Sequence, residues 1–96
     1  MKTETLADLW AVIEDRATNP REGSYVCSLL AHRKGIDKPL EKVGEEATEF
    51  ILAVKNGDPD RIANEAADLL FHVLVALRAS GVGLDDVLAV LEARRQ

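Results

Sequence analysis

The chain is poor in the residues that mark several large classes of protein. It holds a single cysteine, Cys27, which excludes an internal disulfide and a cysteine metal cluster and suits a cytoplasmic setting. One Trp, one Tyr and two Phe, with six Gly and three Pro, are too few for a sandwich or barrel built of short strands and many turns. No run of alternating apolar and polar residues reads as a strand. Long apolar runs are also missing: Leu69 to Leu77, interrupted by His72, is about nine residues where a membrane span needs about 20. Glu4 and Asp8 lie where an export signal requires basic and then apolar residues, so none is expected. Basic residues are outnumbered, 12 against 17 acids for a net charge of −5, which argues against a partner that must be bound by neutralising phosphates along a nucleic acid.

What remains points to helices. Hydrophobic residues make up 47% and charged ones 30%, enough apolar material for a core and too much for disorder. A chain of 96 residues allows one domain, expected to span 1–96, with a core small enough that a second copy would add useful burial. Leu6, Leu9, Trp10, Ile13 and Ala17 follow helical spacing, and Thr5 with Asp8 resembles a capping box at the start. Ser24 can cap a short second helix carrying Val26, Leu29, Leu30 and Arg33 and closed by Gly35. Asp37 is expected to cap a long third helix with the stripe Leu40, Val43, Ala47, Phe50, Ile51 and Val54. Asn56-Gly57 ends it, and Asp58-Pro59 opens a fourth helix with proline at its first position. That helix is apolar around most of its second half, as in a bundle interior or a dimer interface. Leu84, Val87, Leu88 and Leu91 mark a last helix. The expected fold is an all-α bundle of about five helices, its four-helix-type core completed by a homodimer.

The chemistry concentrates in two acidic clusters, Glu45-Glu46-Ala47-Thr48-Glu49 and Glu65-Ala66-Ala67-Asp68. Within each, residues three or four apart share a helix face. On the third helix this face, which includes Lys42, is expected to point away from the apolar stripe. The short turn makes the helices antiparallel neighbours. Residues at equal height are then symmetric about Gly57, which pairs Glu49 with Glu65, Glu46 with Asp68 and Lys42 with His72. Four carboxylates on two adjacent levels, with no basic residue interleaved, repel one another. Two unit charges about 4 Å apart cost roughly 4 kcal/mol at an effective dielectric of 20. Protonation, a basic partner or a divalent cation relieves this. Hard oxygen ligands suit Mg²⁺ or Mn²⁺; zinc would find no cysteine here and at most His72.

At these residues the chain resembles the phosphoribosyl-ATP pyrophosphatases of histidine biosynthesis, within the all-α, MazG-like nucleotide pyrophosphatases. The resemblance rests on the EExxE and ExxD pattern and, more specifically, on Gly23-Ser24-Tyr25, Lys42-Val43-Gly44-Glu45-Glu46-Ala47-Thr48-Glu49, Glu65-Ala66-Ala67-Asp68-Leu69-Leu70-Phe71-His72, Gly81-Val82 and Leu84-Asp85-Asp86-Val87. It implies Mg²⁺-dependent hydrolysis of phosphoribosyl-ATP to phosphoribosyl-AMP and pyrophosphate. It also implies that Glu46, Glu49, Glu65 and Asp68 hold the metal, with Glu45 orienting or deprotonating the attacking water. A house-cleaning nucleoside triphosphate pyrophosphatase of the dCTP or dUTP type shares the acidic pattern, and a non-catalytic helical dimerisation module would leave the same acids on a solvated face.

Lys42 and His72, one layer beyond the acids, are candidates for substrate binding; the competing roles are a salt bridge and a hydrogen-bonded core histidine. Ser24 and Tyr25 border the site if the resemblance holds, against a helix cap and a packed ring. Arg33 and Lys34, within the basic run His32 to Lys38, would draw substrate phosphates, or else decorate a solvated helix end.

Overall fold

A computed structural model describes residues 4–95; residues 1–3 and 96 of the expected domain lie outside the described residues. The elements are α1 (Thr5–Thr18), α2 (Tyr25–Leu30), α3 (Asp37–Asn56), α4 (Pro59–Ser80) and α5 (Leu84–Arg94). No strand occurs among the described residues, and no helix there is long and apolar enough to cross a membrane. The all-α expectation and the five helices stand.

The α3–α4 hairpin is shaped by its turn. Gly57 closes α3 in the left-handed region at φ 77°, where a side chain would be strained, and its N–H returns to Ala53 and Val54 carbonyls. Asp58 then caps α4, its carboxylate accepting from the Asp60 and Arg61 amides, with Pro59 in the first turn. At about 1.5 Å per residue the 20 residues of α3 and 22 of α4 give rods of about 30 and 33 Å. The longest dimension of the molecule is 38 Å, so the hairpin sets its length.

The core lies at one end of this hairpin. Ile13 of α1, Val26 and Leu29 of α2, Leu74 and Val75 of α4 and Leu84 of α5 are buried together, with Trp10, Phe71 and Leu77 packed around them. On α3 only Pro39 and Ala53 are buried. The stripe expected to face the core is split: Val43, Ala47 and Phe50 are half-buried, while Leu40, Ile51 and Val54 are exposed, Ile51 at 59%. Glu46, beside Ala47 and Phe50 of that stripe, is half-buried as well, which brings the acidic edge of α3 to the seam with α4.

Three local expectations are corrected. α1 begins at Thr5 with Glu4 as N-cap, which puts Thr5 inside the helix and removes the Thr5–Asp8 capping box. α3 has Ile36 as N-cap, already in right-handed helical geometry, so Asp37 occupies the first turn rather than the cap. The carbonyls of Gly35 and Ile36 receive the Lys38 and Leu40 amides, so the preceding turn feeds the helix directly. α2 stops at Leu30 and leaves Arg33 on a turn. The Lys34 amide donates to His32 Nδ1 and the Gly35 amide to the His32 carbonyl, local bonds that compete with further helix.

Leu29 is 2% exposed in the middle of this core. Leu29→Ala is expected to lower unfolding free energy by about 2–4 kcal/mol in chemical denaturation.

Candidate metal centre

The α3–α4 hairpin brings acids from both helices to one seam. Glu46, Glu65 and Asp68 each present a carboxylate oxygen within 4.8 Å of the other two. The Glu46 and Glu65 side chains are only 15% exposed. The edge expected to point away from the packed face is therefore partly buried, because the seam admits it. The Glu46 and Asp68 pairing about Gly57 is realised, with Glu65 closing the triangle one turn away.

Glu45 and Glu49 stand outside that triangle, each half exposed and each held by a cation. Lys42 Nζ lies 3.1 Å from Glu45 and 3.8 Å from Glu46. Arg61 Nη2 lies 3.4 Å from Glu65 and 4.0 Å from Glu49. The expectation that no basic residue enters the acidic layers is thus corrected: Arg61 reaches in from one turn before Glu65. The sequence signal was the i, i+4 relation of Arg61 to Glu65, which places both on one face.

His72 is buried and uses both ring nitrogens. Nδ1 is 2.7 Å from the Asp68 carbonyl, which can only accept, so Nδ1 carries the proton. In the neutral ring Nε2 is then an acceptor, to which the Tyr25 hydroxyl donates at 2.9 Å. Phe71 stacks on the Tyr25 ring at 6.0 Å and meets the His72 ring edge-on at 5.0 Å. This assembly ties α2 to α4 at the level of Asp68. Ser24 accepts the Cys27 amide at 3.2 Å and caps α2, which positions Tyr25. Lys34 pairs with Glu41 at 3.0 Å, and Arg33 is exposed on the turn before α3, so neither joins the acidic triangle.

The electrostatics match the crowding. Desolvation raises the Glu65 carboxyl above its ordinary value of 4.5, and the neighbouring charges of Asp68 and Glu49 push in the same direction while Arg61 opposes them. Lys42 is raised above 10.5, first by its hydrogen bond to Glu45, so it is cationic at neutral pH. The donor set contains only carboxylate oxygens, converging and partly desolvated, which fits a hard divalent cation. The three acids would hold Mg²⁺ by drawing their oxygens inward or by acting in part through water.

A carboxyl whose folded pKa is raised costs no stability while protonated and costs more as pH rises through that pKa. Glu65→Gln is therefore expected to melt higher than the parent in metal-free buffer at pH 7. The advantage should vanish as pH falls below 4.5, where both chains are neutral at this position. Thermal melts across that range check it.

Known proteins resemble this chain over nearly its whole length. A family profile described as phosphoribosyl-ATP pyrophosphohydrolase matches residues 6–95. A phosphoribosyl-ATP pyrophosphatase from Methanosphaerula palustris is 71% identical over 94 residues, covering 98% of this chain and 95% of that protein. Proteins of the same name from Methanoculleus marisnigri and Methanoregula boonei are 65% and 63% identical, each covering 95% of this chain, and 94% and 88% of their own lengths. The chain belongs to the phosphoribosyl-ATP pyrophosphohydrolase family.

Proposed function

We propose that this chain hydrolyses phosphoribosyl-ATP to phosphoribosyl-AMP and pyrophosphate in the cytoplasm, with Mg²⁺ as its cofactor and Mn²⁺ as a substitute. The observation that carries the reading is the convergence of Glu46, Glu65 and Asp68 oxygens within 4.8 Å in a chain with such relatives. Those three acids hold the cation, and Glu49 joins them or meets a coordinated water. A bound divalent ion supplies charge neutralisation and polarises a phosphoryl oxygen. It also reverses the local field, since a bare acidic site repels a polyphosphate.

The remaining roles fall to the chain's own groups. Lys42, beside the acids, supplies an ammonium to a substrate phosphate. Glu45, at the open edge, orients or deprotonates the attacking water. Tyr25 borders the site with its half-exposed ring, while Ser24 and His72 keep it and the Asp68 backbone in place. Arg33 and Lys34, on the turn before α3, would meet outlying substrate oxygens, Lys34 by leaving Glu41.

We also propose that the working unit is a homodimer. The radius of gyration is 14.3 Å, against about 12.5 Å for a compact chain of this length. The excess reflects a hairpin whose Ile51, Leu52, Val54, Leu70 and Val73 remain at least 40% exposed. So many large apolar side chains left in water on two helices favour a covering partner. Two hairpins side by side would cover it and make a four-helix core.

Incubation with phosphoribosyl-ATP and Mg²⁺ is expected to yield phosphoribosyl-AMP and pyrophosphate, and chelation should stop it. Turnover of dCTP or dUTP alone would favour the house-cleaning alternative. Glu46→Gln and Asp68→Asn are each expected to lower kcat by at least about a hundredfold with helix content unchanged by circular dichroism. Sedimentation equilibrium should give twice the mass of one chain, and Ile51→Glu with Leu70→Glu should shift the protein toward monomer.

A further inference from the structure

We propose that Arg61 is a phosphate-binding residue held in reserve: it occupies Glu49 and Glu65 until a divalent cation takes the acids, and is then released to the substrate's polyphosphate. This rests on the reading of the acidic triangle as a metal centre for a nucleotide.

The placement is symmetrical with that of Lys42. The converging acids are flanked at each end by one cation, and each cation touches one member of the triangle and one acid outside it. Lys42 takes Glu46 and Glu45; Arg61 takes Glu65 and Glu49. The Arg61 contacts span both helices, since Glu49 lies on α3 and Glu65 on α4. They are also loose. Distances of 3.4 and 4.0 Å exceed the about 2.8 Å of a tight guanidinium–carboxylate fork. With its side chain 58% exposed, Arg61 loses little by leaving.

Metal occupancy supplies the reason to leave. A dication at Glu65 claims the charge that holds Arg61 and repels the guanidinium directly. The freed side chain lies at the rim of the site, on a long flexible stem, where a polyphosphate held by the metal would bring several anionic oxygens. A planar guanidinium fits two phosphate oxygens at once. Arg61 and the cation therefore compete when substrate is absent and act together when it is present.

Those two regimes give opposite signs in one variant. Mn²⁺ alone, titrated into Arg61→Gln and followed by calorimetry, is expected to bind about two- to fivefold tighter than to the parent. The KM of Arg61→Gln for phosphoribosyl-ATP is expected to rise about tenfold with kcat changed much less, and Arg61→Lys should recover part of the loss. Weaker Mn²⁺ binding by Arg61→Gln would mean that Arg61 orients Glu65 instead, and an unchanged KM would reduce it to a helix-surface pair; either overturns the proposal. Failure of the parent itself to bind Mn²⁺ would instead defeat the metal-centre reading beneath it.

Discussion

The structure turns on a repulsion held in place. Three carboxylates from two helices converge at one seam, Glu46 and Glu65 half-buried and Asp68 exposed, and like charges so placed repel unless a cation or a proton relieves them. Helix propensity places no demand for glutamate on that seam; alanine or leucine would pack it better. The Glu65 carboxyl is raised first by desolvation and then by the charges of Asp68 and Glu49. Surrounding elements work against that repulsion. The Asp58 cap and the left-handed Gly57 fix the hairpin's register, while the Tyr25–His72–Asp68 chain of hydrogen bonds braces α4 at the same height.

Burial is distributed unevenly, and this bears on function. The core gathers α1, α2, α5 and the second half of α4, which anchors one end of the hairpin. The acids lie farther toward the turn, where a single chain supplies few large apolar contacts. A second copy against that region would stiffen the seam and shield the metal centre from bulk water. Metal binding and dimerisation would then each stabilise the arrangement that the other requires.

Much of the framework was legible in the residues. Asn56-Gly57-Asp58-Pro59 carries both the stop of α3 and the start of α4, so the antiparallel hairpin and the matching of Glu46 with Asp68 follow from spacing alone. Rotation about the helix axis was less legible. The α3 stripe contains both Ile51 and Ala47, and periodicity cannot say which edge meets α4: Ala53 is buried and Val43, Ala47 and Phe50 are half-buried, while Leu40, Ile51 and Val54 stay exposed. Pairing by height also misses lateral reach. Arg61 enters the acidic layer because its long side chain spans one helical turn and the gap between helices. The premature end of α2 depends on His32 accepting a backbone amide, a local bond that apolar periodicity does not register.

The most direct test of the central claim is Mn²⁺ binding followed by electron paramagnetic resonance, in the parent and in a chain carrying Glu46→Gln, Glu65→Gln and Asp68→Asn together. The expected result is saturable binding in the parent that disappears in the triple variant while its helical spectrum persists. Equal binding by both chains would contradict the assignment of these three acids as the cation's cage.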